Sequence, residues 1–452
     1  MISEKALREL KKIYGKRLKT DAVHKIAYSY DATRIEYEPD AVVFPINETE
    51  IIKTVKLANT YKFPIIPRGS GTGFSGGAIP IKGGIVISFS RMSRLEILKE
   101  EMLAIVEPGV ITAELQRRAE KIGLFYPPDP ASLKNSTIGG NIAENAGGPR
   151  CLKYGVTKNY VLGLDVVLPT GEKISVGKGL QKNVAGYDLI SLFVGCEGTL
   201  GIVTKAYLKL IPKPEIARSI RADFTSVRDA SEAATDILSS GILPAALEFM
   251  DRKSIEAAST YTGEKVSAGA SLIIQIDGSE ETVKHEIERV KKVLQRHNLK
   301  GIKISMNDEQ EEEVWQLRRS ISPAIATLKP IKVNEDVVVP RSKIPDAVDF
   351  VYAIAEKFKI EVIVFGHMGD GNIHVNFMIE ENERERAEQA VSELFKWVVA
   401  HGGAISGEHG IGITKSEFIN LQLKKEEIVI MRKIKSLLDP NNIMNPGKIF
   451  QE

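Results

Sequence analysis

Three of the chain's seven histidines fall in two short glycine-rich segments. The first runs Gly366-His367-Met368-Gly369-Asp370-Gly371-Asn372-Ile373-His374-Val375-Asn376, the second Gly402-Gly403-Ala404-Ile405-Ser406-Gly407-Glu408-His409-Gly410. Asp370-Gly371 between apolar flanks predicts a two-residue hairpin turn. Counting outward, Gly369 faces Asn372, Met368 faces Ile373 and His367 faces His374. Directly opposed residues share a sheet face with Cβ atoms about 4.5–5.5 Å apart, so the two imidazoles can share one ion. The same register sends Met368 and Ile373 to the opposite, buried face. It also puts Asn376 on the His374 face, within reach of a ligand beside the ion. A third ligand must come from elsewhere, and the second segment offers Glu408 and His409. Two histidines and a carboxylate with open positions suit Zn²⁺ or a comparable divalent cation. A lone histidine is more often a satisfied core or surface residue; the joint pattern is harder to explain that way.

A different chemistry is written in the first half of the chain. Pro67-Arg68-Gly69-Ser70-Gly71-Thr72-Gly73 follows a short apolar run. Closely spaced glycines let backbone N–H groups approach an anion; Ser70 and Thr72 add hydroxyls and Arg68 a charge. The set suits a diphosphate. It is not the GxGxxG that opens a dinucleotide-binding helix, and no acidic residue follows at the ribose position, so a Rossmann NAD site is disfavoured. A second block reads Thr137-Ile138-Gly139-Gly140-Asn141, then Asn145-Ala146-Gly147-Gly148, and a third Asn183-Val184-Ala185-Gly186-Tyr187-Asp188, then Glu197-Gly198-Thr199-Leu200-Gly201-Ile202. One such block is commonly a turn or bulge; three in one region predict backbone packed along an extended ligand.

The elements that must carry these segments change character along the chain. Up to residue 213, short apolar runs (Val42–Pro45, Ile65–Pro67, Ile85–Phe89, Leu103–Glu107) alternate with helical patterns (Glu48–Tyr61, Ile111–Ile122). The proline-punctuated stretch Ile211–Arg218 makes a boundary. Beyond it, amphipathic helices are predicted over Val227–Ser239, Glu280–His297, Glu309–Leu328, Ile344–Phe358 and Glu383–Ala400. Strands are predicted over Ala246–Phe249, Leu272–Ile276, Val337–Val339, Val362–Phe365 and Ile373–Phe377. The expected organisation is α+β throughout: a first domain over 1–213, a second over 214–410 built on an antiparallel sheet with helices on one face, and a helical segment over 411–452 packing back on the first domain.

Bulk composition excludes several classes. A length of 452 residues calls for more than one core. A net charge of +2 leaves no footprint for nucleic acid. Cys151 and Cys196 form neither a disulfide framework nor an iron–sulfur motif, which fits a reducing, cytoplasmic setting. The N-terminus, with Leu7, Leu10 and Ile13 at helical spacing, predicts an amphipathic helix rather than a signal peptide. No apolar run approaches the roughly 18 residues of a membrane span; peripheral docking at the inner face of a membrane stays open.

The segments PRGSGTG, PPDPAS, STIGGNIAENAGG, KNVAGYDL and GCEGTLGIVT, in that order, resemble the FAD-binding domain of the vanillyl-alcohol oxidase/PCMH flavoprotein superfamily. HMGDGNIHVN and SGEHGIG resemble the C-terminal domain of the FAD-linked oxidases, in the branch holding D-lactate, glycolate and D-2-hydroxyglutarate dehydrogenases. The resemblance spans nearly the whole chain. It implies that Arg68, Gly69, Ser70, Gly71 and Thr72 hold the FAD pyrophosphate. Pro128, Asp129, Ser132, Thr137, Gly139, Gly140 and Asn141 would line the flavin. Gly198, Thr199 and Ile202 would close the adenosine end, and Pro67, Ala146, Gly147, Glu197, Gly201 and Asn445 of the C-terminal NPGK would be further cofactor contacts. The first glycine loop lacks the histidine of covalent members, so the FAD is expected to be dissociable.

The same resemblance assigns His367, His374 and Glu408 to the metal and His409 to the base. It points to Arg318, rather than Arg319, for the substrate carboxylate, with Ser322 one turn further and Asn376 beside it. Where 2-hydroxyglutarate enzymes carry a lysine, this chain has Asn334, with Lys332 two residues earlier. A shorter acid such as D-lactate or glycolate is therefore favoured. The implied reaction is oxidation of the alcohol by hydride transfer to flavin N5. The electron acceptor is open: a quinone, a cytochrome, a flavoprotein or a partner subunit with its own cluster. Rival readings are a D-2-hydroxyglutarate dehydrogenase, a non-redox flavin transferase of alkylglycerone-phosphate synthase type, a non-catalytic FAD-binding subunit, and a metal-dependent hydrolase. The hydrolase leaves the glycine loops unexplained, and the transferase does not need the paired histidines.

Overall fold

The N-terminal periodicity folds into a helix, Glu4–Tyr14, capped by the Ser3 hydroxyl and burying Ala6, Leu10 and Tyr14. A second helix, Glu48–Tyr61, starts where the Asn47 side chain accepts from Glu50 N, a cap worth about 1 kcal/mol. The computed structural model describes residues 2–450, and these fall into two compact units. One comprises the chain up to Gly147, Val156–Lys213, and the chain from Glu408 onward.

This first unit holds two main sheets. The smaller runs in the order Leu18–Lys19, Ala41–Val43, Ile85–Ser88, Ile65–Arg68, with its last three strands parallel. The larger is antiparallel, ordered Leu95–Leu98, Leu103–Val106, Ile202–Lys209, Val161–Val167, Lys173–Val176. The helices Glu4–Tyr14 and Glu48–Tyr61 and the smaller sheet share one core, into which the C-terminal tail inserts Ile443 and Met444. Ile65 N donates to Ile443 O at 2.7 Å and Asn445 N to Ile65 O at 2.8 Å. The tail thus adds a rung to the strand Ile65–Arg68 and holds the point from which the first glycine loop departs.

The second unit comprises Gly148–Gly155 and Pro214–Gly407. Its sheet has seven strands in the order Leu299–Ile304, Ile216–Phe224, Ala270–Gly278, Ala246–Asp251, Glu361–His367, Asn372–Ile379, Ile331–Val338. Every pairing is antiparallel. The expectation of helices on one face is corrected. Ala246–Asp251 and Asn372–Ile379 are buried at every position rather than at alternate ones, so both faces are covered. Helices Arg252–Thr262 and Asp308–Ile325 pack on the face carrying Met250, Phe365 and Met378. Val227–Ser239, Glu280–Leu294, Ile344–Phe358 and Arg384–Ala400 pack on the sheet and on one another as a separate group. The short segment Gly148–Gly155 is tied in by Asp277, which accepts from Lys153 and, at 2.7 Å, from Tyr154 Oη.

Candidate active site

The histidine hairpin exists, but its turn is longer than predicted. His367 pairs with Asn372 and Phe365 with His374, leaving Met368–Gly371 as the loop. Gly371 adopts φ +87° and sits where a Cβ would come within 2.1 Å of Val339 O, while Val339 N donates to Gly371 O at 3.0 Å. The neighbouring strand end, not a two-residue turn, therefore sets the loop. The register differs from the prediction by two residues, an even number, so both histidines keep one face. They are diagonal rather than opposed, with Nε2 atoms 3.3 Å apart and ring planes at 85°. Two ligands of one tetrahedral ion at about 2.0–2.1 Å lie about 3.3 Å apart, so the pair is spaced to hold a cation.

The flanks of this pair are equally defined. His367 Nδ1 lies 2.5 Å from Glu248 Oε1, and Glu248 is His367's ladder partner on the next strand. Phe365 packs against the His374 ring with centroids 5.3 Å apart. On the far side Asp336 pairs with His374 and accepts Gly407 N at 2.7 Å. Val338 and Ala404 exchange backbone bonds of 2.9 Å, so Ala404–Gly407 is held along the strand Ile331–Val338. Glu408 is the next residue.

Arg318 belongs to the helix Asp308–Ile325, which Asn307 caps. Two turns before it, Glu311 Oε1 accepts from Ser219 Oγ and Gln275 Nε2, both at 2.7 Å, and from Trp315 Nε1 at 3.1 Å. That cluster pins the helix to the sheet. Arg318 then reaches Glu248 Oε2 with Nε at 3.0 Å and Nη2 at 2.8 Å, its guanidinium 4.6 Å above the Phe365 ring. Arg319 points outward to Glu312 and is half exposed, so of the two arginines only Arg318 joins the histidine face. Ser322 is exposed. Asn376 shares the His374 face but is fully buried. Its Oδ1 accepts Asn334 Nδ2 at 2.9 Å, and its Nδ2 donates to Ile363 O at 3.3 Å and His374 O at 3.4 Å.

In the first unit, the glycine loops line one cleft. One wall is Pro67–Phe74, the other Thr137, Gly139, Gly140 and Asn141 with Ala146 and Gly147; Ser132, Glu197, Gly198, Gly201 and Ile202 contribute, and so do Glu408 and His409. The ring of His409 lies 5.1 Å from that of Phe74. Gly139 fits because a Cβ there would meet Pro108 O at 2.9 Å. Arg68 is nearly buried, its Nη1 on Ala78 O at 3.2 Å; burial pushes the guanidinium below its ordinary value. Pro128, Asp129 and Asn445 are not among the lining residues. Asn445 works from behind, donating to Gly77 O and Glu197 O, both at 2.8 Å. Asn183–Asp188 of the third block lies in the open, with Val184 and Tyr187 exposed.

Residues 213–449 match the family described as FAD linked oxidases, C-terminal domain, and residues 39–177 match the FAD binding domain. The chain belongs to the FAD-linked oxidases. It is 45% identical to the glycolate oxidase subunit GlcD of Bacillus subtilis, over 94% of this chain and 92% of that protein. It is 36% identical to a D-lactate dehydrogenase of Archaeoglobus fulgidus, over 94% and 96%. A D-2-hydroxyglutarate dehydrogenase of Stutzerimonas stutzeri is 34% identical over 95% of each chain. Among solved structures, p-cresol methylhydroxylase superposes with a TM-score of 0.82 at 17% identity, covering 100% of this chain and 98% of that one. Alkyldihydroxyacetonephosphate synthase superposes with a TM-score of 0.80 at 21% identity, covering 99% and 86%. These last two show the fold.

As an FAD-linked oxidase the chain is an FAD-binding oxidoreductase. Among the described residues, no helix is long and apolar enough to cross a membrane. Glu248 is not singled out by the sequence patterns above, although a single carboxylate inside the run Ala245–Met250 is a signal of its own. Glu197 lines the cleft, yet its carboxylate is spent on Ile411 N at 2.8 Å and Gly412 N at 2.7 Å, which fixes the loop after His409. Burial pushes that carboxyl up against these donors, which pull it down.

Proposed function

We propose that this FAD-linked oxidase oxidises a small D-2-hydroxy acid, D-lactate or glycolate, to the 2-oxo acid, assisted by a divalent cation. The observation that carries the reading is the pair of Nε2 atoms 3.3 Å apart with Arg318 on the same sheet face. Relatives named for glycolate, D-lactate and D-2-hydroxyglutarate support the substrate class. His367, His374 and Glu408 are the proposed ligands, and two histidines with a carboxylate favour Zn²⁺. Glu408 is one peptide beyond Gly407, which is anchored to the ladder partner of His374. A trans peptide spans only about 3.8 Å between Cα atoms.

FAD fits the first unit's cleft by its donor set. Arg68–Thr72 with Thr137–Asn141 offer backbone N–H groups and hydroxyls, and a Cβ at Gly69 would fill the gap to 2.4 Å from Thr137 Oγ1. The flavin is non-covalent, since no histidine stands in the first glycine loop. Bound FAD supplies the electron sink and the bound cation supplies Lewis acidity. Arg318 grips the substrate carboxylate with the N–H groups that Glu248 does not use, and Ser322 adds a hydroxyl one turn on. His409 takes the proton from the substrate hydroxyl. Asn334 is committed to Asn376 and offers no second cation, which favours a short acid. Electrons pass to a separate acceptor or partner subunit, and a cytoplasmic site of action fits the chain.

Anaerobic mixing with a panel of D- and L-2-hydroxy acids tests this. D-lactate or glycolate should bleach the flavin fastest. EDTA-treated protein should be slower by about a hundredfold or more and recover with Zn²⁺, since a Lewis acid contributes several kcal/mol. Faster bleaching by D-2-hydroxyglutarate would overturn the short-acid reading, and undiminished rates in metal-free protein would remove the cation.

A further inference from the structure

Glu248 sits in the strand Ala246–Asp251 with no exposed surface. A buried carboxylate is costly unless its oxygens are paired. Here the two oxygens go to different partners: Oε1 to His367 Nδ1 at 2.5 Å, Oε2 to Arg318 Nε at 3.0 Å and Nη2 at 2.8 Å. A carboxylate present only to neutralise Arg318 would be expected to take it through both oxygens. This one gives half its capacity to the imidazole. An acceptor at Nδ1 places the proton there and leaves the lone pair on Nε2, the atom that faces His374 Nε2.

We propose that Glu248 is the positioning residue that joins the cation site to the carboxylate anchor, fixing the tautomer and ring angle of His367 through one oxygen and the reach of Arg318 through the other. The inference rests on the metal reading above. Arg318 keeps both Nη1 hydrogens for a substrate, and the Phe365 ring beneath it restricts the direction in which they point.

The test uses FAD-loaded protein stripped with EDTA and titrated with Zn²⁺ by calorimetry, for wild type and Glu248→Gln. The amide keeps the volume but cannot accept from both partners. Zn²⁺ should bind about 10–100-fold more weakly, and the substrate KM should rise more than kcat falls, with FAD content and thermal midpoint near wild type. Should the single variant fail to fold, Glu248→Gln with Arg318→Gln leaves no unpaired buried charge and should show the same loss of Zn²⁺ affinity. Zn²⁺ affinity within twofold of wild type in either folded variant overturns the inference and leaves the metal reading standing. A wild-type chain that takes up no Zn²⁺ overturns both.

Discussion

The two units assemble their sites from opposite materials. The cleft of the first unit is walled largely by backbone: Gly69, Gly71, Gly139 and Gly140 face it, while two of its charged side chains turn towards main chain, Arg68 to Ala78 O and Glu197 to Ile411 N and Gly412 N. The face in the second unit is made of ionisable side chains bonded to one another: His367, His374 and Glu248, buried on neighbouring strands, and Arg318, partly buried on a helix. Main-chain donors suit a long polar cofactor that needs many similar contacts. A small substrate offers only a carboxylate and a hydroxyl, so side chains of specific type must meet it, and burying them obliges each to have a partner. The first site should be most sensitive to added bulk, the second to the loss of a particular side chain.

The sharpest break in that comparison comes from His374→Ala. It removes one of two imidazoles without adding volume. Substrate oxidation should fall about a thousandfold, equivalent to roughly 4 kcal/mol of barrier, and Zn²⁺ uptake should be lost, while the flavin spectrum and FAD content stay as in wild type. Loss of FAD together with Zn²⁺ would show that the two sites do not depend on separate materials.

The converse change is Gly139→Ala, a single methyl with no charge. Its Cβ would stand 2.6 Å from Pro108 Cβ and 2.9 Å from Pro108 O. Overpacking of this kind costs about 1–3 kcal/mol, and since the helix Ile138–Glu144 forms one wall of the cleft, FAD affinity should drop about tenfold or more. Zn²⁺ titration should be unchanged. Equal FAD affinity, read by fluorescence on reconstitution of the apoprotein, would show that the wall yields.

What the sequence made legible follows the range of the interactions. Helices Glu48–Tyr61, Val227–Ser239 and Ile344–Phe358 were read to the residue, because caps and apolar periodicity are local. The strand Ile216–Phe224 begins inside the stretch Ile211–Arg218 that reads as a boundary, and its remainder gives no strand signal: its Arg218 and Arg221 obscure the apolar alternation, and they are satisfied by Asp308 and Glu264. The lysine-bearing edge strand Leu299–Ile304 and the weakly apolar helix Arg252–Thr262 are illegible for a similar reason. At the site, the shared face of His367 and His374 was legible because only the parity of the register matters. Glu248 was not. It meets His367 across 119 residues of sequence, and which strand lies beside the hairpin is decided by the whole sheet.

The mildest change sharpens the comparison most finely. Arg318→Lys keeps the charge and removes the fork. A lysine can reach Glu248 or a substrate carboxylate with one ammonium, but it cannot hold Glu248 through Nε and Nη2 while presenting Nη1 elsewhere. KM for the 2-hydroxy acid should rise about tenfold, the loss of one charge-assisted bond at roughly 1.4 kcal/mol, with kcat changed by less than about threefold and FAD binding untouched. An unchanged KM would mean that charge alone suffices on the histidine face, and the contrast between a site built from backbone and one built from specific side chains would narrow to the cation ligands.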